Sequence, residues 1–263
     1  MINYFQAQRV ASKNGVPEEI IEKDFFIEFI LFYLSRNNFF KEKLIFRGGT
    51  ALKKIYFPEY RFSEDLDFLI EERENLLDYE QNWNQILKRI NSEYPFQLNT
   101  RREASNDRLQ FFINYNIIPE IRTIKELKID ILKDYIIPAF TAKRILWTYQ
   151  EFNQEKARLN SYILESIASD KICRILDVDN EPRDIYDLWY VMKLKLNIPK
   201  IKEQVKNRLG YEISYPNLLN EITKEDFKIN WRLRLEKQIG DLPSYDMVTE
   251  ELEKSIEAKL LST

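Results

Sequence analysis

The sequence predicts an α+β fold in two parts, a mixed β-sheet core with flanking helices over residues 1–145 and a helical domain over residues 146–263. Three observations lead there. Short apolar runs of strand character alternate with helical runs only as far as Pro138, and helical periodicity dominates beyond it. Of 263 residues, 44% are hydrophobic and 14% aromatic, enough to fill an ordinary core and too many for a disordered chain. Net charge is only −3, which disfavours a globally basic nucleic-acid binder and leaves charge to be sought in patches.

Pro17 opens the first strong helix, PEEIIEKDFFIEFILFYLSR, with proline in the first turn and acidic residues at the positive end of the helix dipole. It is apolar nearly all round, so burial is expected. A strand at Leu44–Phe46, a helix at Thr50–Tyr56 and a strand at Leu66–Ile70 follow. An amphipathic helix from Leu76 to Ile90 precedes strand-like segments at Phe96–Leu98, Leu109–Asn116 and Leu127–Leu132. After a soft boundary across Pro138–Asn160 come helical segments at Tyr162–Leu176, Pro182–Leu196, Ile198–Arg208, Lys224–Lys237 and Asp246–Leu261. The start MINYFQAQRV has no secretory-signal pattern, and the most apolar stretch, Phe25–Leu34, is broken by Glu28 and far shorter than the ~18 residues of a membrane span. The expectation is a cytoplasmic protein with no membrane partner.

Residue usage removes whole chemistries. With no His, imidazole triads, His zinc ligands and His proton shuttles are excluded; with one Cys, Cys173, so are disulfide frameworks and Cys-rich metal sites. Carboxylates, Lys, Arg, hydroxyls and backbone amides remain.

Two of the five glycines are adjacent, Gly48-Gly49, between the strand Leu44–Phe46 and the helix at Thr50. Strand, Gly-Gly-Thr and helix N-terminus leave backbone N–H groups free and let a phosphate approach without Cβ obstruction; a plain tight turn capped by Thr50 is the alternative. In Arg61-Phe62-Ser63-Glu64-Asp65-Leu66-Asp67, period-two alternation puts Asp65 and Asp67 on one strand face. Paired carboxylates repel unless cations neutralise them, and an oxygen-only site of this kind suits Mg²⁺ completed by substrate phosphates; a solvated edge strand is the alternative. Asp130, in Lys128-Ile129-Asp130-Ile131, occupies a similar setting. Three aspartates on two neighbouring strands would hold two ions about 4 Å apart, as in-line nucleotidyl transfer requires.

In the helix Tyr162–Leu176, Lys171 falls in the middle of the apolar stripe Leu164, Ile167, Ala168, Ile172, Ile175. Such a lysine snorkels, pairs with a carboxylate or meets an anion. Arg174 lies toward the stripe's edge. Arg183 and Asp187 are spaced as an i,i+4 ion pair, while Asp184 or Asp187 would orient Lys171 or contact a nucleotide; spacing does not choose. Asp177–Glu181 lacks the glycine and closing Glu of a calcium loop, Arg183-Asp184-Ile185 lacks the companions of a kinase catalytic loop, and Walker A is absent. Two basic clusters, Arg101, Arg102 and Arg108 in a loop before the Leu109 strand, and Lys193, Lys195, Lys200, Lys202, Lys206 and Arg208, would neutralise RNA phosphates, meet an acidic protein partner, or only solvate a helix.

The motifs Phe46-Arg47-Gly48-Gly49-Thr50-Ala51-Leu52, Arg61–Asp67 and Lys128–Ile131 together resemble the AbiEii/AbiGii-type, MenT-like nucleotidyltransferase toxins of type IV toxin–antitoxin and phage abortive-infection systems. Glu22-Lys23-Asp24 and Arg183-Asp184-Ile185-Tyr186-Asp187-Leu188-Trp189 extend the likeness across about residues 18 to 190. The resemblance implies a nucleotidyltransferase-like sheet and transfer of an NMP from an NTP to RNA, with a tRNA 3′ end as leading acceptor and a cognate antitoxin as partner. Asp65 and Asp67 would bind Mg²⁺, with Mn²⁺ as substitute, and Asp130 would complete the site near the acceptor. Gly48, Gly49, Thr50 and Ser63 would bind the nucleotide with Arg174 and Asp184 or Asp187, and Lys171 would act on its phosphates. The rival is a non-catalytic nucleotidyltransferase-like module that binds nucleotide, RNA or protein.

Overall fold

A computed structural model describes residues 1–123, 125–153, 156–177 and 181–261. They form two compact units, Met1–Ser161 and Tyr162–Thr263.

The first unit contains α1 (Tyr4–Asn14), α2 (Glu18–Arg36), α3 (Asn38–Lys43), β1 (Ile45–Arg47), α4 (Gly48–Ala51, continued as a π-helical turn Leu52–Tyr56), β2 (Asp65–Glu71), α5 (Leu76–Glu93), β3 (Asn99–Ala104), β4 (Arg108–Tyr115), β5 (Lys125–Asp134), β6 (Phe140–Arg144) and β7 (Arg158–Tyr162). The strands make one mixed sheet in the order β3-β4-β5-β2-β1-β7-β6. β2 runs parallel to β5 and β1 to β7, whereas β1/β2, β3/β4 and β4/β5 are antiparallel. Period-two patterning gives the sheet a dry face: Leu66, Phe68 and Ile70 of β2, Ile129 and Ile131 of β5 and Leu109, Phe111 and Ile113 of β4 are all buried. Trp83 of α5 stacks on Phe111, and Phe26 of α2 on Tyr115.

Helix α2 is buried as its composition requires, yet carries three buried acids, Glu22, Asp24 and Glu28. A buried charge costs several kcal/mol unless paired. Glu22 accepts from the Ile117 and Ile118 amides and pairs with Lys125 at 2.6 Å. Lys54 bridges Asp24 at 2.8 Å and Glu28 at 2.7 Å, and Glu28 also accepts from the Thr148 and Tyr149 amides.

The structure departs from the sequence expectation in several places. Two strands follow Pro138, so the first unit reaches Ser161 rather than 145. β6, FTAKR, is largely exposed and has no apolar alternation to announce it. Strand β3 begins at Asn99, beyond the expected Phe96–Leu98, and α1, closed by an Asn3/Gln6 capping box, lay unrecognised. The helix after β1 starts at Gly48, so the glycine pair is its first turn rather than a loop before it.

The second unit is helical: α6 (Leu164–Asp177), α7 (Pro182–Met192), α8 (Ile198–Leu209), α9 (Tyr215–Ile222), α10 (Glu225–Leu235) and α11 (Tyr245–Ile256, followed by a π-helical turn Glu257–Leu261). α6 packs on α7, α8 and α9, and α7 on α10 and α11. Ile167, Ala168, Ile172, Leu188 and Met192 are buried between them. Residues 178–180, within the acidic segment rejected as a calcium loop, lie outside the described residues. Among the described residues no helix is long and apolar enough to cross a membrane.

Candidate active site

Strand β1 turns directly into α4 at Gly48, whose φ of +79° is a conformation L side chains rarely adopt. A Cβ there would sit 2.9 Å from Oδ2 of Asp67. The backbone demands glycine, a Cβ would push the Asp67 carboxylate aside, and that carboxylate lies against bare main chain. The helix has no side-chain N-cap. Thr50 is buried; its hydroxyl donates to the carbonyl oxygen of Asp65 at 2.5 Å and shares a 2.6 Å bond with Ser63 Oγ. Thr50 and Ser63, expected to contact the nucleotide, tie the glycine turn to the start of β2.

Register settles which side chains share the other sheet face. Arg47 is opposite Asp67, Asp67 opposite Asp130, Asp65 opposite Lys128 and Asp130 opposite Gln110. Directly opposed residues point the same way, so the three aspartates form the row the sequence implied. They are not equivalent. Asp65 and Asp67 are half-buried, and among the described residues the Asp67 carboxylate has no hydrogen-bond or ion-pair partner. Asp130 is buried and surrounded by donors: Arg108 Nε reaches Oδ1 at 2.8 Å and Arg108 Nη2 reaches Oδ2, Gln110 Nε2 lies 3.2 Å from Oδ2, and Lys128 Nζ also lies 3.2 Å from it. Burial alone would raise the Asp130 pKa, but Arg108 and Lys128 hold it below the usual carboxylate range.

Among the described residues no three acidic or thiol side chains converge to hold a metal ion. Asp130, expected to join Asp65 and Asp67 in a three-carboxylate cluster, shares their row but is engaged by cations. The cause is Arg108, placed in a loop by the sequence but found as the first residue of β4, one diagonal step from Asp130 on the same face. Asp65 and Asp67 still suit Mg²⁺, a hard ion held by one or two carboxylates with water and substrate phosphate, because their oxygens are hard and Gly48 leaves the space beside them clear.

Other basic residues have local partners. Arg101 lies 3.9 Å over the Phe112 ring and pairs with Glu103, and Arg102 pairs with Glu80 at 2.8 Å. Lys53, unnoticed in the sequence, donates to the carbonyls of Tyr60 at 2.7 Å and Pro58 at 3.2 Å and lies 4.1 Å from the Phe62 ring centre. It braces the segment leading into β2, and burial pushes its pKa down to about 8. A lysine pair in a short apolar helix was the available signal.

In the second unit Lys171 is buried, as its place in the stripe suggested, and meets both candidate aspartates: Asp184 Oδ1 at 2.5 Å and Asp187 Oδ2 at 2.8 Å. Arg174 Nε lies 2.7 Å from Asp184 Oδ2. Arg183 pairs with Glu181 at 3.2 Å. In the lysine-rich patch, Lys193 pairs with Glu251 at 3.2 Å and Lys206 with Glu212 at 3.0 Å.

The backbone is similar to two solved structures. An H. pylori protein assigned as a nucleotidyltransferase superposes with a TM-score of 0.62 at 17% identity, covering 94% of this chain and 97% of that one. The MenT4 nucleotidyltransferase toxin of Mycobacterium tuberculosis superposes with a TM-score of 0.65 at 14% identity, covering 100% of this chain and 91% of that one. At these identities the likeness establishes a nucleotidyltransferase fold. No curated protein matches the sequence significantly. The sequence itself matches the family described as nucleotidyl transferase AbiEii toxin, type IV toxin–antitoxin system, over residues 30–260. With the glycine turn, the paired carboxylates and the fold in agreement, this chain belongs to the AbiEii family of nucleotidyltransferase toxins.

Proposed function

We propose that this enzyme transfers an NMP from an NTP to an RNA acceptor in a Mg²⁺-dependent reaction, with a tRNA 3′ end as the acceptor, and that it works in the cytoplasm as the toxin of a toxin–antitoxin pair serving phage defence. The observation that carries the reading is the half-buried Asp67 carboxylate, without an ion-pair partner among the described residues, lying against Gly48 beside Asp65 on the same face. Asp65 and Asp67 would hold the metal. The chemistry the ion supplies when bound is neutralisation of charge on the donor phosphates. Gly48 and Gly49 present main chain without side-chain bulk to those phosphates, and Thr50 fixes the turn against β2. The acceptor hydroxyl attacks the α-phosphorus and pyrophosphate leaves. Positioning and charge neutralisation suffice for such a reaction, so the lack of His is no obstacle. For Lys171 and Arg174 we propose the same ligand class, phosphate, with Asp184 and Asp187 holding their geometry.

The test is incubation of the full chain with each α-labelled NTP, Mg²⁺ and total RNA. Label in RNA, abolished by chelation, is expected; no label in any RNA with any NTP would overturn the reading.

A further inference from the structure

We propose that Arg108 is a phosphate-binding residue on the acceptor side of the Asp65–Asp67 pair, and that Asp130 is the counter-ion that holds it in place while no phosphate is bound. The inference rests on the proposed function for the identity of the ligands, and on geometry for the assignment.

One carboxylate, Asp130, is shared by two cations, Arg108 and Lys128. Neither cation therefore has that carboxylate to itself. Asp130 engages the Nε and Nη2 edge of Arg108 and one approach to Lys128. Guanidinium has five donors and ammonium three, so both keep donors to spare. The anion is enclosed while the main cation is open: the Asp130 side chain is 8% exposed and that of Arg108 47%. A further anion is thus the ligand this arrangement lacks, and the planar fork of arginine matches phosphoryl oxygens as it matches carboxylate.

Strand order gives the side. The glycine turn leaves the end of β1, Asp65 and Asp67 stand on β2, and Arg108 stands on β4, beyond β5. Two strand spacings put the Arg108 backbone about 10 Å from β2, away from the glycine turn. A triphosphate held by Gly48, Gly49 and the carboxylates leaves the β4 side for the incoming strand. Arg108 nevertheless feels the charge of Asp67, so it belongs to the same electrostatic site. Gln110, opposite Asp130, adds a neutral donor to the row.

The shared chemistry is phosphate, from the backbone of the acceptor or from the donor triphosphate, and separate binding arms distinguish the two. Wild type, Arg108→Gln, Arg108→Lys and Asp130→Asn would be titrated with a short fluorescein-labelled single-stranded RNA over a range of salt, and with non-hydrolysable NTP analogues in Mg²⁺. Thermal melts would accompany each variant. Arg108→Gln is expected to weaken RNA binding about tenfold and to lower the salt slope by roughly one, with Arg108→Lys intermediate. Loss confined to the NTP arm would assign the phosphate to the donor and overturn the acceptor-side placement. Asp130→Asn removes the competing anion, so phosphate binding is expected to stay equal or tighten. The proposal is overturned if Arg108→Gln and Arg108→Lys, both folded, weaken neither ligand, or if Asp130→Asn weakens Mg²⁺-dependent NTP binding, as loss of a metal ligand would. Neither readout requires turnover, so a failed transfer assay and a failed Arg108 assignment are separate results.

Discussion

Two glycines share a φ of +79° and differ in their surroundings, which isolates what Gly48 contributes. At Gly210, the C-cap of α8, an added Cβ meets nothing within 4 Å; at Gly48 it meets Asp67 Oδ2 at 2.9 Å. Alanine at either site suffers the left-handed backbone penalty of about 1–2 kcal/mol. Gly48→Ala adds a clash with a side-chain tip, cheap in stability but relieved only if the Asp67 carboxylate retreats by roughly 0.5 Å or more. Misplacement of reacting groups by about 1 Å can cost around 10²-fold in rate. The expectation for Gly48→Ala is therefore a loss of about 1–2 kcal/mol, as at Gly210, together with a drop of roughly ten- to hundredfold in nucleotidyl transfer. Gly210→Ala should lose only the backbone part and keep its activity. Urea denaturation followed by circular dichroism, with transfer rates on the same preparations, reads both. Full activity in Gly48→Ala, or an equal activity loss in Gly210→Ala, would refute the reasoning.

The buried lysines give two further predictions. Lys53 titrates near pH 8 when folded and at 10.5 when free, so the folded state releases that proton earlier; the cost of burying its charge is present in full below pH 8 and is relieved as pH rises toward 10.5. Lys53→Met should remove a pH-dependent rise of order 3 kcal/mol across that window, read as the difference between wild-type and variant urea midpoints, and parallel curves would contradict the assignment. Lys171→Met takes the buried cation from between Asp184 and Asp187, so it should cost about 3–5 kcal/mol, part of which Asp187→Asn returns by lowering the remaining negative charge; a variant as stable as wild type would show that the cluster is not the ionic centre described.

Local pattern carried much of the site and part of the fold. Asp65, Asp67 and Asp130 were visible because strand alternation is a two-residue rule, and the β2/β5 register then places them in one row. The fate of Asp130 was not visible. It depends on how β4 registers against β5, a non-local fact that brings Arg108 across from a segment read as a loop. The Thr50 contact was hidden for a related reason: its hydroxyl donates to the Asp65 carbonyl, fifteen residues away in sequence. Lys171 was legible as a charge in an apolar stripe, and the structure resolves the choice of partner by using both Asp184 and Asp187. Strand β6 left no signal because its side chains are mostly exposed and thus free of the burial that writes periodicity into sequence.

The central claim, that the Asp65–Asp67 face is the nucleotidyl-transfer centre, meets its most direct test in Asp67→Asn. The substitution keeps shape and removes charge from a side chain that has no ion-pair partner among the described residues, so folding should be little affected. The account predicts a melting temperature close to wild type and a fall of three orders of magnitude or so in transfer of α-labelled nucleotide to RNA in Mg²⁺. Transfer by Asp67→Asn at the wild-type rate would contradict it.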